Sequence, residues 1–300
     1  MEIALIIDDL AKYMGNDVHS YNWSWGSENN GIYQSIELIE NIVGNNRISV
    51  LYYGNEFCEY RIPSVEQLTT FIGLCKKNML KPVLVTPVVT DKGIDRIISL
   101  LEYMSVNNIN IDVVINDFGV LELVRRKYPN HKVIMGRIMD KTSHDSRATV
   151  KELEDYYGLD GLKFAKTPGI ISEQAKYVLR DYDVIRWEFD LPNVGIELPT
   201  DIDCSLYWPY CYLTTGRVCS MRAAHLNGKD KYLVGSSFCE QVCRNVMIEK
   251  RKPSNGYCLN GIQNKNEMYL FQKGNTVFYL YEGEKTDKQF EQFDRIVLQI

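Results

Sequence analysis

Two short stretches of consecutive apolar residues decide the fold: Val113-Val114-Ile115 and Val133-Ile134-Met135. A strand with one face in water alternates apolar and polar side chains, whereas a strand covered on both faces is apolar throughout. The two stretches therefore predict strands buried on both faces, which is typical of a parallel sheet flanked by helices.

Similar runs recur along the chain, with helix-like segments between them. Strands are predicted near residues 3–7, 49–53, 82–86, 112–115, 132–136, 161–164, 184–188 and 206–213. Helices are predicted over residues 32–43, 65–78, 93–106, 120–128, 150–157 and 172–180. This alternation predicts an α/β protein with a TIM-like (β/α)8 barrel that need not be regular. A doubly wound open sheet is the alternative, but neither a G-x-G-x-x-G motif after the first strand nor a P-loop lysine motif is present.

The pattern changes beyond residue 250. Segments 268–272 and 276–281 flank Lys273-Gly274-Asn275, which indicates a β-hairpin. No linker rich in Pro, Gly and Ser divides the chain. We therefore expect residues 1–250 to form the barrel and residues 251–300 to form a small appendage, a hairpin and a helix, packed on it.

Composition and charge disfavour several classes of function. Apolar residues make up 45% and charged residues 24%, as in ordinary globular proteins. The net charge of −5 lacks the positive footprint of an autonomous nucleic-acid binder. No segment is long and apolar enough to span a bilayer, and residues 1–9 lack the basic start of a secretion signal. We expect a cytoplasmic protein that binds neither nucleic acid nor membrane.

Cysteines mark the candidate site. Five of the eight lie between positions 204 and 243, and in a reducing compartment such clustering indicates metal or redox chemistry more often than disulfides. Cys58 and Cys219 are predicted in loops that follow strands, where barrel proteins carry their functional groups. A capping-box pattern at Ser237 predicts a helix on which Cys239 and Cys243 share one face.

Four thiolates at one end of a barrel select soft metals, either zinc or the iron of an iron–sulfur cluster. Zinc sites normally use C-x-x-C pairs, which this chain lacks, so the pattern favours a cluster over zinc. Cys204 and Cys211 are alternatives to Cys219 as the fourth ligand. The alternative for Cys239 and Cys243 is a purely structural role, in which both side chains face a packed core.

Residues 53–61 contain Gly54, Cys58 and Arg61 in a G-x-x-x-C-x-x-R arrangement. This segment resembles an element of the collagenase-like peptidase U thirty-two family, and most closely its UbiV-type members from anaerobic ubiquinone hydroxylation. Residues 116–121, the Gly136-Arg137 pair and residues 215–219, which are followed by two further cysteines, reinforce the resemblance. It covers roughly residues 1–250.

The resemblance implies a barrel whose Cys58, Cys219, Cys239 and Cys243 hold a 4Fe-4S cluster. It also implies a part in oxygen-independent hydroxylation or redox biosynthesis of a small molecule, in this chain or through a heteromeric partner of the same family. A peptidase-like hydrolase and a noncatalytic scaffold stabilised by zinc are the alternatives.

Arg61, Asn116 and Arg137 are candidates for a substrate pocket. Arg137 follows a predicted strand, where its guanidinium can bind a ligand carboxylate in bidentate fashion. An ion pair with Asp117 or Glu188 is the alternative role.

Overall fold

The computed structural model describes residues 1–14, 47–145, 149–224, 226, 232–234, 239–250, 270–281 and 287–299. Its strands in chain order are β1 (Glu2–Ile7), β2 (Ile48–Gly54), β3 (Lys81–Val85), β4 (Asp112–Ile115), β5 (Val133–Met135), β6 (Val184–Phe189), β7 (Asp203–Trp208), β8 (Tyr210–Thr215), β9 (Ile248–Lys250), β10 (Leu270–Lys273), β11 (Thr276–Leu280) and β12 (Arg295–Gln299). Eight of them form a closed parallel barrel in the order β1-β12-β7-β6-β5-β4-β3-β2. The predicted TIM-like barrel is confirmed.

The helices are α1 (Val65–Lys77), α2 (Asp91–Val106), α3 (Phe118–Lys127), α4 (Val150–Lys166), α5 (Glu173–Asp181), α6 (Ser220–Ala223) and α7 (Asp287–Glu291). The five helices predicted between residues 65 and 180 are present, and in four of them the side chain of the N-cap residue accepts a backbone N–H. In α1, for example, a capping box joins Ser64 and Gln67, and Leu68 and Phe71 are buried. The helix predicted at 32–43 lies outside the described residues.

The strand predicted at 161–164 is wrong, because these residues belong to α4. A capping box between Thr149 and Glu152 begins this helix. Gly158 interrupts it with a φ of 68°, but the helix continues and buries Leu162 and Ala165, which are three positions apart. The apolar residues that look like a strand are thus one stripe of a helix.

The strand predicted at 206–213 is divided between two sheets. β7 ends at Trp208, and after Pro209 the chain enters β8, which pairs with β11 in an antiparallel sheet of order β8-β11-β10-β9. The hairpin predicted around Gly274 is present as β10 and β11. The eighth barrel strand is β12, which lies between β1 and β7, so residues 251–300 contribute more than an appendage.

Apolar side chains fill the two faces of the barrel wall differently. The outer faces of the strands pack against the helices in one large core. The lumen holds a smaller cluster of mostly β-branched and aromatic residues, which are Ala4, Val50, Tyr52, Val83, Val85, Val114, Ile134, Tyr207 and Val297. This lumen is a packed interior, as in other parallel barrels, and leaves the strand ends to carry a site.

None of the helices in the described part of the chain combines the length and the apolar character that crossing a bilayer requires.

Candidate functional site at the carboxyl end of the barrel

A cleft that is open to solvent lies at the carboxyl ends of the barrel strands. We call it the mouth cleft. Its walls come from the ends of β1, β2 and β12, from the segment after β5, and from the β10–β11 hairpin that lies over the barrel. It is lined by charged groups that include Asp8, Glu56 and Arg61, and by the aromatic rings of Phe57 and Phe278.

Arg137 forms the buried centre of the mouth cleft. Its Nε and Nη2 donate to the two carboxylate oxygens of Glu56 at 2.9 and 2.8 Å. Nη1 donates to Asp190 Oδ1 at 2.6 Å and to the Tyr210 carbonyl at 3.2 Å. Nη2 also donates to Gln299 Oε1 at 2.9 Å. All five N–H donors of the guanidinium are therefore used within the protein.

This arrangement corrects the predicted role of Arg137. The residue does lie in the mouth cleft, but it has no donor left with which to clamp a ligand carboxylate. Its ion-pair partners are Glu56 and Asp190 rather than Asp117 or Glu188. Asp117 instead caps α3 by accepting the backbone N–H of Gly119 at 2.7 Å.

The cluster around Arg137 carries more negative than positive charge. Burial raises the pKa of Glu56 and of Asp190, and the neighbouring Arg137 opposes that rise in both. The guanidinium lies 4.0 Å from the ring centre of Tyr207, so an aromatic face supports it from inside the barrel. One cation thus holds two buried carboxylates at the floor of the cleft.

Arg61 lies in the mouth cleft as predicted, and its side chain is 4% exposed. It pairs with Asp8 at 3.0 Å, and Lys273 pairs with the same carboxylate oxygen at 2.7 Å. Burial alone would raise the pKa of Asp8, but the charges of Lys273 and Arg61 hold it well below its usual range. The Nε of Arg61 has no hydrogen-bond partner among the described residues.

Asn116 is placed differently from the other two pocket candidates. It is buried, its Nδ2 donates to the Thr86 carbonyl at 2.9 Å, and it does not line the mouth cleft. A Cβ on Gly136 would come within 2.1 Å of its Oδ1. Asn116 therefore joins the segment after β4 to the segment after β3 and lies close against Gly136, which follows β5.

Cys58 and Cys219 lie where the sequence predicts them, directly after strands. Cys58 follows β2 and precedes a 3-10 turn at Glu59–Arg61, and its N–H donates to Asn55 Oδ1 at 2.8 Å. Cys219 follows β8 and begins α6, where its Sγ accepts the N–H of Arg222 at 3.5 Å. Each of the two cysteines thus lies at the start of a short helical segment that follows a strand.

The predicted helix carrying Cys239 and Cys243 is wrong over its described part. Residues 239–241 are not helical, Gln241 has a φ of 54°, and a 3-10 turn covers only Val242–Arg244. Ser237, the predicted first cap, lies outside the described residues. The two thiols therefore do not share a helix face, although the chain still brings them to one cleft.

The four cysteines Cys58, Cys219, Cys239 and Cys243, which we call the thiol cluster, occupy two adjoining clefts. Cys219, Cys239 and Cys243 line one cleft, and Cys58 and Cys219 line the other. Burial raises the pKa of Cys58 to about 12, and charge on Cys243 and Cys239 adds to the rise. Burial likewise raises the pKa of Cys243, to which Cys219 and Cys239 contribute. The four thiols therefore lie close enough for the charge on one to act on another.

The thiol cluster is not a preformed coordination shell. In the described part of the chain, no three His, Cys, Asp or Glu side chains converge closely enough to hold a metal ion as they stand. Metal binding at these thiols requires side-chain movement and release of protons.

The other described cysteines lie elsewhere. Cys204 is at the start of β7, with its Sγ 3.4 Å from the Ile202 carbonyl. Cys211 donates to the Leu191 carbonyl at 2.9 Å, and Cys75 is buried on α1. Neither Cys204 nor Cys211 lines a cleft of the thiol cluster, so the structure places Cys219 rather than either alternative in it.

The sequence pattern does not single out several residues of the mouth cleft, or Asp190, which pairs with Arg137 beneath it. Asp8 and Asp190 directly follow strands, and a search for polar residues at strand ends would have found both. Glu56 lies inside the motif around Cys58. Lys273 and Gln299 gave no local signal, because they reach the cleft only through the hairpin and the closing strand.

Comparisons of the chain with protein-family models, with curated proteins and with solved structures found no match.

Proposed function

We propose that the protein is an iron–sulfur barrel protein of redox biosynthesis, related to the peptidase U thirty-two family and its UbiV-type members. In this proposal the thiol cluster holds a 4Fe-4S cluster and the mouth cleft binds a small molecule. The observation that carries it is the placement of Cys58, Cys219, Cys239 and Cys243, from distant parts of the chain, in two adjoining clefts.

The donor set fits such a group chemically. Four sulfur donors suit iron–sulfur clusters and zinc rather than magnesium or calcium. The charges of Cys243 and Cys58 both raise the pKa of Arg61, which places the guanidinium beside them, and its Nε lacks an acceptor among the described residues. A negatively charged sulfur site would supply that acceptor and balance the buried charge.

The roles that we propose for the cluster and for the residues around it follow from the same contacts. When bound, the cluster supplies one-electron chemistry to the site. Arg61 borders both the thiol cluster and the mouth cleft, and its ion pair with Asp8 holds it in place. The rings of Phe57, Phe271 and Phe278 limit the access of water to a ligand in the cleft. Oxygen-independent hydroxylation is the reaction class that the sequence resemblance suggests for this arrangement.

A partner chain of the same family is part of the proposal. Helix α4 exposes Tyr157, Leu159 and Phe164 by 71%, 74% and 81%. Large apolar side chains that are exposed to this degree are candidates for contact with another protein. We therefore propose α4 as the surface that such a partner covers.

The hydrolase alternative receives no support from the described histidines. A cysteine peptidase needs an imidazole beside its thiol. His131 contacts the Ile111 carbonyl at 3.1 Å, and the His144 ring packs on Tyr212. Neither contact joins an imidazole to a cysteine.

Anaerobic purification followed by iron, sulfide and zinc analysis tests the proposal. We expect about four iron and four sulfide per chain and broad visible absorbance from sulfur-to-iron charge transfer. Cys58→Ser, Cys219→Ser, Cys239→Ser and Cys243→Ser should each lose most of the iron. Cys75→Ser is the matched control, because this buried cysteine lies on α1 and should leave the iron content unchanged.

Two results would contradict the proposal. One is a colourless protein with one zinc per chain, which would favour the scaffold alternative. The other is equal iron content in the four cluster variants and in Cys75→Ser, which would reject the ligand set. Circular dichroism of each variant separates loss of metal from loss of fold.

A further inference from the structure

Glu188 is a carboxyl group enclosed in the barrel lumen. It lies on β6, it is completely buried, and neither of its oxygens has a hydrogen-bond partner among the described residues. The hydroxyl of Tyr207 in the same lumen is also unpaired. Buried polar atoms are nearly always paired, so three unpaired atoms in one layer of a lumen call for a physical explanation.

The groups facing Glu188 supply little positive charge. Tyr52 comes from β2 and Tyr207 from β7, and both hydroxyls lower the pKa of Glu188, although neither reaches ordinary hydrogen-bond geometry with it. Among the described residues, the positive charge that lowers the pKa of Glu188 is that of Arg295 of β12, whose N–H groups are directed to Glu2 and to the Tyr52 hydroxyl. Glu56, beyond the end of β2, adds a second negative charge.

The rest of the lumen offers no compensation. On β6 itself, Arg186 is directed to Asp203 and Ser205, and Asp190 is held by Arg137. The remaining barrel strands contribute apolar side chains to this interior, which are Ala4, Val83, Val85, Val114 and Ile134. An ionised Glu188 would therefore be a buried charge without a counter-ion, which is strongly unfavourable.

Glu188 is connected to the floor of the mouth cleft. Its neighbour Tyr207 lies directly beneath Arg137, with 4.0 Å between the guanidinium carbon and the ring centre. Arg137 already holds two carboxylates, Glu56 and Asp190. Ionisation of Glu188 would add a third negative charge to this single cation.

We propose that Glu188 is a proton-operated switch inside the barrel. It holds a proton at neutral pH, and loss of that proton puts a second uncompensated negative charge beneath Arg137 and the mouth cleft. The proton leaves to solvent when the barrel opens transiently, and no cofactor takes part. The inference is independent of the metal site proposed above.

The expected pH dependence has a definite sign. Burial, with a contribution from Glu56, raises the pKa of Glu188 from 4.5 to about 8. A carboxyl with a raised pKa contributes stability that is complete below about 4.5 and is lost as the pH rises to about 8. Over this window the unfolding constant of the wild-type protein should rise up to tenfold per pH unit relative to that of Glu188→Gln.

Infrared spectroscopy tests the proton directly. The difference spectrum between wild type and Glu188→Gln should contain a carboxylic-acid C=O band at pH 6.5 that disappears with a midpoint near pH 8. Glu154→Gln is the matched control, because Glu154 is exposed on α4 and its removal should leave this band in place. Urea unfolding of the same three proteins between pH 5 and 9 measures the linked change in stability.

A second variant keeps the test decisive if Glu188→Gln does not fold. Tyr207→Phe retains the ring beneath Arg137 but removes a hydroxyl that lowers the pKa of Glu188, so the midpoint of the band should move to higher pH. Absence of the band at pH 6.5, an unshifted midpoint in Tyr207→Phe, or parallel pH profiles of wild type and Glu188→Gln would each overturn the proposal.

Discussion

Arg137 shows how the neighbours of a single side chain decide its role. A guanidinium at the end of a barrel strand is well placed to bind a ligand, and the sequence predicts that role. The structure instead surrounds it with Glu56, Asp190, Gln299 and the Tyr210 carbonyl, which use all of its donors. The acceptors come from remote parts of the chain, so no local pattern around residue 137 could reveal them.

Replacement of Arg137 should be costly for this reason. Arg137→Met would leave Glu56 and Asp190 as buried carboxylates without a cation, and loss of one partner of a buried pair typically destabilises by about 3–5 kcal/mol. Urea unfolding at pH 7 measures the change in the free energy of unfolding.

Arg180→Met is the control for this change. Arg180 is 76% exposed in its pair with Asp181, so its loss should cost less than about 1 kcal/mol. Equal losses in the two variants would show that the Arg137 cluster does not hold the mouth cleft together.

For two of the cysteines, in contrast to Arg137, the sequence predicts the position correctly. Cys58 and Cys219 were predicted from their positions after strands, and the structure places both in adjoining clefts with Cys239 and Cys243. The helix predicted for the last two was wrong, because Gln241 adopts a left-handed conformation that a helix does not contain. The sequence predicts that Cys58 and Cys219 follow strands, because this depends only on the order of strands and loops. It does not predict the backbone conformation around Cys239 and Cys243, which depends on contacts that the sequence pattern does not encode.

At the scale of elements, β2 ends in a glycine because the neighbouring strand β3 leaves no room for a Cβ at this position. Gly54 has a φ of 132°, and a Cβ at this position would lie 2.2 Å from the Val85 carbonyl oxygen of β3. The same strand end leads into Glu56 and Cys58, so its backbone positions both the mouth cleft and the thiol cluster.

Substitution of two glycines separates this constraint from ordinary helix propensity. Gly54→Ala should destabilise the protein by more than about 1 kcal/mol, because the new methyl group clashes with backbone and the φ is unfavourable. Gly73→Ala should stabilise it by about 0.5–1 kcal/mol, because Gly73 lies in α1 with open space around it. Thermal unfolding of both variants measures the difference, and a stable Gly54→Ala would contradict the close approach of β2 and β3.

Which elements were predictable follows from their local signals. The predictions of α1, α2, α3 and α5 were confirmed: side-chain caps begin α1, α3 and α5, and buried apolar residues line α1, α2 and α3. The prediction of a strand at 161–164 was wrong because an apolar run of four residues fits a strand as well as a helix face. The helix before the closing strand β12 is α7, which has only five residues, so its sequence did not indicate a βα unit and the strand was missed.

For the whole molecule, closure of the barrel depends on its last strand. β12 lies between β1 and β7, and its side chains Val297 and Leu298 are completely buried. Removing it would expose the paired edges of two strands and open the lumen, which contains Tyr52 and Tyr207.

Truncation tests this dependence. A chain ending at residue 294 should lose the cooperative unfolding transition, whereas a chain ending at residue 299 should retain it and serves as the control. Circular dichroism during urea titration distinguishes the two. A cooperative transition in the shorter chain would mean that β12 is dispensable for the barrel.

The adjacency of β1 and β12 has a practical consequence for handling the protein. The two strands are parallel, so Glu2 begins at the amino end of the barrel while Gln299 finishes at the rim beside Arg137. An affinity tag joined after Gln299 would emerge next to the mouth cleft and obstruct the ligand site that we propose there. A tag placed before Glu2 would emerge at the opposite pole, which makes that end the suitable one for immobilisation in binding measurements.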